Sequence, residues 1–166
     1  MKQIIVSVSI VALTAMLVGT VALAADTGQV TATVTASVIA VTVSDGAVAY
    51  GVVATTRDTT SDEANDTQTI TNTGTVTEDF EIKGNDSASW ELADAAGDAA
   101  YAHKSCIATC DTTPTWTAFN ETAYMDLDTS KATSATTALD LQVTVPTANA
   151  GVTEQSIPVD ILATAS

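Results

Sequence analysis

The sequence predicts an all-β fold, an antiparallel sandwich of two packed sheets with about 7–9 short strands. Three observations carry this expectation. Thr, Val and Ala dominate the chain after its first 24 residues, and Thr and Val are stiff at χ1 and suit the pleated surface of a strand. Apolar residues recur at every second position in several short runs, the spacing of a strand buried on one face. Gly, Asn and Asp separate those runs, as the turns of a sandwich require.

The chain begins with Lys2, an apolar run from Ile4 to Val18, and small residues ending Ala22-Leu23-Ala24. A positive start, an apolar middle and an A-x-A end predict a secretory signal helix cleaved after Ala24. The rival reading is an uncleaved anchor, because Ile4 to Ala25 is long enough to span a bilayer. Ser7, Ser9, Thr14 and Thr20 weaken that span, and the small-residue end favours cleavage. No Cys stands beside the cleavage point to carry a lipoprotein anchor, and no type IV pilin processing site precedes the apolar run. Residues 25–166, 142 in number, then form a single domain large enough to bury a core. With the leader removed, no stable membrane insertion is expected.

The strands follow in order. From Val30 to Ala40 the even positions alternate Val and Ala, while Thr31, Thr33, Thr35 and Ser37 fill the odd ones. At Val38-Ile39 the phase slips, so that Ile39, Val41 and Val43 carry the apolar face onward. A one-residue slip swaps the faces and implies a bulge or a change of sheet. Ser44-Asp45-Gly46 is a turn and Val48 to Val53 a strand. Arg57 to Asp66 is a polar loop, and Thr67 to Thr71 the next strand. Asn72-Thr73-Gly74 turns the chain into Glu78 to Lys83. A short strand is expected around Trp90 and Leu92. Glu91 to Tyr101 has some helical character, at most one or two turns, interrupted by Gly97. Tyr101 to Ile107 and Thr115 to Phe119 form a hairpin whose connection contains Pro114. Tyr124 to Leu127 is short. Leu139 to Val145 and Ile157 to Ile161 close the domain with the strongest alternation. The expected core is Val52, Ile70, Phe80, Ile82, Trp90, Leu141, Val143 and Val159.

Removing Lys2 leaves four basic residues against 20 acidic ones, a net charge of −16. Such a surface repels nucleic acid and anionic membranes. It suits solubility outside the cell and tolerates divalent cations. The two cysteines, Cys106 and Cys110, stand four apart, and in an exported chain they are expected to form a disulfide.

Three segments resemble a known family. Val48-Ala49-Tyr50-Gly51-Val52-Val53 is similar to the aromatic-Gly start of bacterial Ig-like surface domains. Thr69-Ile70-Thr71-Asn72-Thr73-Gly74 with Phe80-Glu81-Ile82 resembles their strand, N-x-G turn, strand centre. Leu139 to Val145, then Pro146, then Ile157 to Ala163 resembles their closing pair. In style the chain is similar to the TasA and camelysin group, whose members build extracellular fibres, as in biofilms. The resemblance implies an Ig-like sandwich and an exported structural or adhesive protein of the cell surface. Its partners would be itself or other surface components. Trp90-Glu91-Leu92 matches the W-x-L signature of cell-wall-binding proteins, which implies the alternative of a wall- or glycan-binding module. That family carries the signature twice, and here Trp116-Thr117-Ala118 does not repeat it.

Catalytic chemistry finds little to work with. His103 is the only His, and no nucleophile elbow accompanies it. Carboxylate pairs are available everywhere in so acidic a chain and discriminate nothing. No Gly-rich phosphate loop and no basic patch is present. An enzyme is not expected, nor an organic cofactor. The one candidate metal is calcium, which takes roughly six to eight oxygens from flexible loops. Asp58, Asp62, Glu63, Asn65 and Asp66 crowd one loop, and Asp126 and Asp128 share a strand face. The spacing is not that of an EF-hand, and a solvated acidic loop is the simpler expectation. Sequons start at Asn65, Asn85 and Asn120.

The alternation of Val30, Ala32, Val34 and Ala36 demands a pairing partner. Pairing within the chain is the simpler expectation, because a sandwich needs a first strand. Donation to the open edge of a neighbouring molecule is the alternative, with the slip at Val38-Ile39 as the boundary.

Overall fold

The computed structural model describes residues 28–55, 58–60, 66–108, 110–148 and 153–166. The chain divides into two units, Met1–Thr35 and Ala36–Ser166. The signal helix lies outside the described residues, as do Asp62, Glu63 and Asn65. The second unit is all-β: among the described residues it has ten strands and no helix. In chain order they are β1 (Val41–Val43), β2 (Asp58–Thr60), β3 (Gln68–Asn72), β4 (Glu78–Gly84) and β5 (Glu91–Leu92). β6 (Ala100–Cys106), β7 (Thr117–Ala118), β8 (Met125–Lys131), β9 (Thr136–Thr144) and β10 (Val159–Ala165) follow.

Two sheets result. The first runs β1-β3-β9-β6-β5, with β2 also on β9 and β7 also on β6; the second runs β10-β4-β8. β9 is the longest strand and the centre of the first sheet. It pairs with β3 through Thr136 to Leu139, with β2 through Gln142 to Thr144, and with β6 through Asp140 to Thr144. A central strand is covered on both sides, which is why Asp140 and Gln142 are buried together with Leu139, Leu141 and Val143. Asp140 is satisfied there by the Thr67 hydroxyl at 2.6 Å, as a buried charge must be.

The core lies between the sheets. Ile70, Leu139, Leu141, Val143 and Tyr101 come from the first sheet, Phe80 and Ile82 from β4, and Leu92 and Phe119 complete the cluster. The N-x-G turn is built as the sequence suggests, with Asn72 turned inward. Its amide donates to the carbonyls of Val76 and Lys131, and its oxygen accepts from the Gly74 N–H, each at 2.8 Å. Gln68, equally buried, accepts from Ser44 and donates to Ala47, fixing the turn after β1.

Several expectations are corrected. Residues 28–40 belong to no strand, and the first ladder begins at Val41. Alternation supplies two faces, but only a partner makes a strand, and the expected first strand of the domain is not formed. Val48 to Val53 is not a strand either. Gly51 takes a positive φ of 67°, which turns the chain and leaves Val52 fully exposed rather than in the core. Trp90 and Val159 are half-buried, packed against the core rather than within it. The helix-like stretch after Glu91 forms β5, a tight turn and the start of β6, and β5 lies parallel to β6. That pair departs from an entirely antiparallel sandwich. The polar loop from Arg57 contains β2, whose polar residues are held by pairing with β9 rather than by any apolar face of their own.

Candidate functional site

From Gly28 to Ser44 the sequence carries no charged residue, in a chain that is otherwise densely acidic. Residues 28–39 are all exposed; Val30 and Val34 are 94% and 96% accessible. Val30, Ala32, Val34 and Ala36 therefore present an apolar alternation to solvent, where such residues are normally covered.

Within the second unit, the root of this segment is fixed. The Val38 N–H donates to the Thr75 hydroxyl at 2.9 Å, and the Thr75 N–H returns a bond to the Val38 carbonyl at 2.9 Å. The Thr73 N–H donates to the Ala40 carbonyl at 2.8 Å. The Ala40 N–H donates to Glu78 Oε1 at 2.8 Å. Glu78 is fully buried, and its second oxygen has no partner. Gly74 lies beneath: a Cβ there would stand 2.4 Å from the Val38 carbonyl oxygen and 2.2 Å from Glu78 Oε1. No larger residue fits that crossing.

The second sheet ends in two edges of opposite character. β8 pairs with β4 through two register shifts. Its Ser130 has a positive φ of 56° and donates its N–H to Asp79, and the strand carries Asp126, Asp128 and Lys131. Bulges and charges are how natural proteins blunt an edge. β10 has none of the irregularity. It pairs with β4 over seven consecutive residues without a shift and carries one charge, Asp160, which Asn85 and Lys83 already engage at 3.0 and 3.8 Å. Among the described residues its other side carries no ladder. Val159, Ile161 and Ala163 pack against the core yet stay half-buried, and Leu162 is 37% exposed on the outer face. By contrast Phe80 and Ile82, one strand inward, are closed off from solvent.

The other predicted residues take their places as follows. Cys106 and Cys110 are disulfide-bonded, with Cα atoms 5.9 Å apart, tying the end of β6 to the connection toward β7. Asp58 accepts from the Thr144 hydroxyl. Asp66 accepts from Gln68 at 2.8 Å. Asp128 is engaged by Lys131 at 2.7 Å. Among the described residues no group of three or more acidic, His or Cys side chains is arranged to hold a metal. His103 is 1% exposed, sits edge-on to Phe119 at 4.9 Å, and its Nε2 is 3.0 Å from the Tyr50 hydroxyl. Burial lowers its pKa to about 3. The same kind of burial raises Tyr50 and Tyr101, the latter to about 12. His103, Tyr101 and Phe119 are closed off from solvent, with Tyr50 half-buried beside them. Trp90, half-buried, packs on Tyr101 at 6.1 Å, and Leu92 is in the core.

Asn85 is tied to Asp160, whereas Asn120 is exposed in a turn whose oxygen accepts from the Thr122 N–H and hydroxyl. A depression of about 70 Å³ lies beside the disulfide, lined by Ile82, Cys106, Met125 and Leu127 among others; small-molecule sites are roughly 300–1,000 Å³. Comparison with family models, curated proteins and solved structures returns no match.

Two features of the site were not read from the sequence, namely the unprotected edge of β10 and the Glu78 anchor. The edge follows from which strand neighbours which, a property of topology. The anchor had one local signal, a Glu four residues after the N-x-G turn.

Proposed function

We propose that the chain is an exported structural protein of the cell exterior, an Ig-like subunit that assembles into fibres by strand addition. The observation that carries this reading is the exposed, uncharged, alternating segment 28–37 in a chain of net charge −15. Its backbone and its apolar face both call for a partner, and a sheet edge supplies both at once.

The sheet orders support the Ig-like part. An Ig sandwich places strands A-B-E-D in one sheet and C-F-G in the other, with C′ beyond C where it occurs. Here β1-β3-β9-β6 correspond to A-B-E-D and β10-β4-β8 to F-C-C′. β8 departs from the pattern by following β6 in the chain, where C′ would precede D. The alternative of a wall- or glycan-binding module draws no support from Trp90, whose ring is committed to Tyr101.

Negative-stain microscopy and sedimentation of the mature protein, with and without calcium, test the reading. Fibres are expected. Removal of residues 25–36 should leave a folded protein that does not polymerise. A truncated protein that polymerises as the parent does, or a parent that stays monomeric, overturns it.

A further inference from the structure

We infer that the open edge of β10 is the acceptor for residues 30–36 of a second copy of this chain, laid antiparallel beside it. The inference rests on the assembly reading above and adds where the added strand goes.

Topology selects the edge. In the Ig correspondence β10 takes the place of strand F, and the position beyond F belongs to strand G. Among the described residues no strand occupies that position. The remaining edges are poor acceptors. β1 and β2 have three residues each, and β5 and β7 two each. β8 is bulged and charged. β10 alone is long, regular and nearly uncharged, the kind of edge that pairs with another chain unless protected.

The occupant is argued from length, face and charge. β10 offers seven residues, Val159 to Ala165, and the alternating segment from Val30 to Ala36 also has seven. At about 3.4 Å per residue the two match end to end. In the antiparallel register that overlaps all seven, Val34 faces Ile161, Ala36 faces Val159 and Ala32 faces Ala163, all on the core side. Thr33 then faces Leu162 on the outside. The half-buried residues of β10 become covered, and its free N–H and C=O groups gain partners. Two copies of so acidic a protein repel each other, but an uncharged segment against an edge whose one carboxylate is already engaged brings no new pair of like charges together.

Engineered cysteines test the placement, since the native pair is already bonded. The mature chain is prepared as three single variants, Thr33→Cys, Leu162→Cys and Thr129→Cys, and as the double variant carrying Thr33→Cys with Leu162→Cys. Unchanged circular dichroism qualifies each one. On oxidation, a mixture of the Thr33 and Leu162 variants should give a heterodimer that reductant reverses, and the double variant a ladder. A mixture of the Thr33 and Thr129 variants should give none. Cross-linking through Thr129 instead would assign the acceptor to β8 and overturn the inference while leaving strand addition standing. A double variant that closes only within one molecule would make the segment the chain's own strand beside β10 and overturn the second copy as occupant. Fibres that form without either cross-link would likewise remove β10. Absence of both fibres and cross-links would overturn the assembly reading itself.

Discussion

Acidification should destabilise the fold through His103. The imidazole is 1% exposed. Its Nδ1 has no hydrogen-bond partner, so the protonated ring would hold a charged N–H against apolar groups with nothing to accept it. Burial lowers its pKa to about 3 from the ordinary imidazole value of 6.5. The sign follows from linkage: below 6.5 the unfolded chain takes up the proton while the folded chain refuses it. Stability is therefore complete above pH 6.5 and is lost as pH falls toward the folded value. Each pH unit costs up to about 1.4 kcal/mol, or roughly 3 kcal/mol at pH 4.5. The assay is equilibrium urea unfolding between pH 7 and 4.5, run on the parent and on His103→Gln, which keeps a polar atom facing Tyr50 but does not titrate. Asp45 and Asp79 have lowered pKa values, through hydrogen bonds from Ala47 and Ser166 respectively. Glu121 is raised, first by the charge of Asp86; all three groups are common to both proteins. The parent should lose stability steeply while the variant stays nearly level. Parallel curves for the two proteins would refute the buried neutral histidine.

Three further outcomes follow from the packing. Phe80→Ala empties a fully buried site between the sheets and should cost roughly 3–5 kcal/mol in denaturant unfolding; a shift below about 1 kcal/mol would place the ring outside the core. Gly74→Ala forces a methyl against the Val38 carbonyl and the Glu78 carboxylate, at a cost of about 1–3 kcal/mol. Hydrogen exchange at the Ala40 amide should accelerate in that variant more than at Ile82, and equal acceleration would count against a local clash. Reduction of the Cys106–Cys110 bond opens only a short loop, so the chain-entropy relation gives about 2 kcal/mol; loss of folding on reduction would show that the bond does more than close that loop.

The legible parts of the fold were those where one strand's own residues decide the outcome. Ile70, Phe80, Ile82, Leu141 and Val143 sit on alternating positions and are buried, because each belongs to a strand with a core on one face. The disulfide was legible from the spacing of Cys106 and Cys110 in a chain expected to be exported. What failed depended on neighbours. β2 is Asp-Thr-Thr, a sequence with no apolar face, and only β9 beside it makes it a strand. Val48 to Val53 has the composition of a strand, yet Gly51 at positive φ interrupts it. In Val30 to Ala36 the pattern is that of a strand and the partner is not in the described ladders. The helical character expected of Glu91 to Tyr101 is not formed: the Gly97 N–H donates forward to the Ala100 carbonyl at 2.9 Å, the reverse of a helical bond.

The distribution of charge bears on how such a molecule would associate at all. A net charge of −15 on 166 residues keeps copies apart at long range, and salt screens that repulsion only beyond about 8–10 Å. Contact must therefore be made by something that brings no charge and gains enough at short range. A side-by-side packing of two sandwich faces would press acidic surface on acidic surface. A strand added at an edge does not, because its gain comes from backbone hydrogen bonds and a single file of small apolar side chains. The Glu78 anchor sharpens this. Thr75 holds Val38 and Glu78 holds Ala40, with Gly74 between them, so the backbone just before β1 is fixed. On the proposed reading, the buried carboxylate has a use although one of its oxygens goes unpaired: it fixes Ala40, the residue before β1, a few positions from the stretch proposed to pair with a second copy.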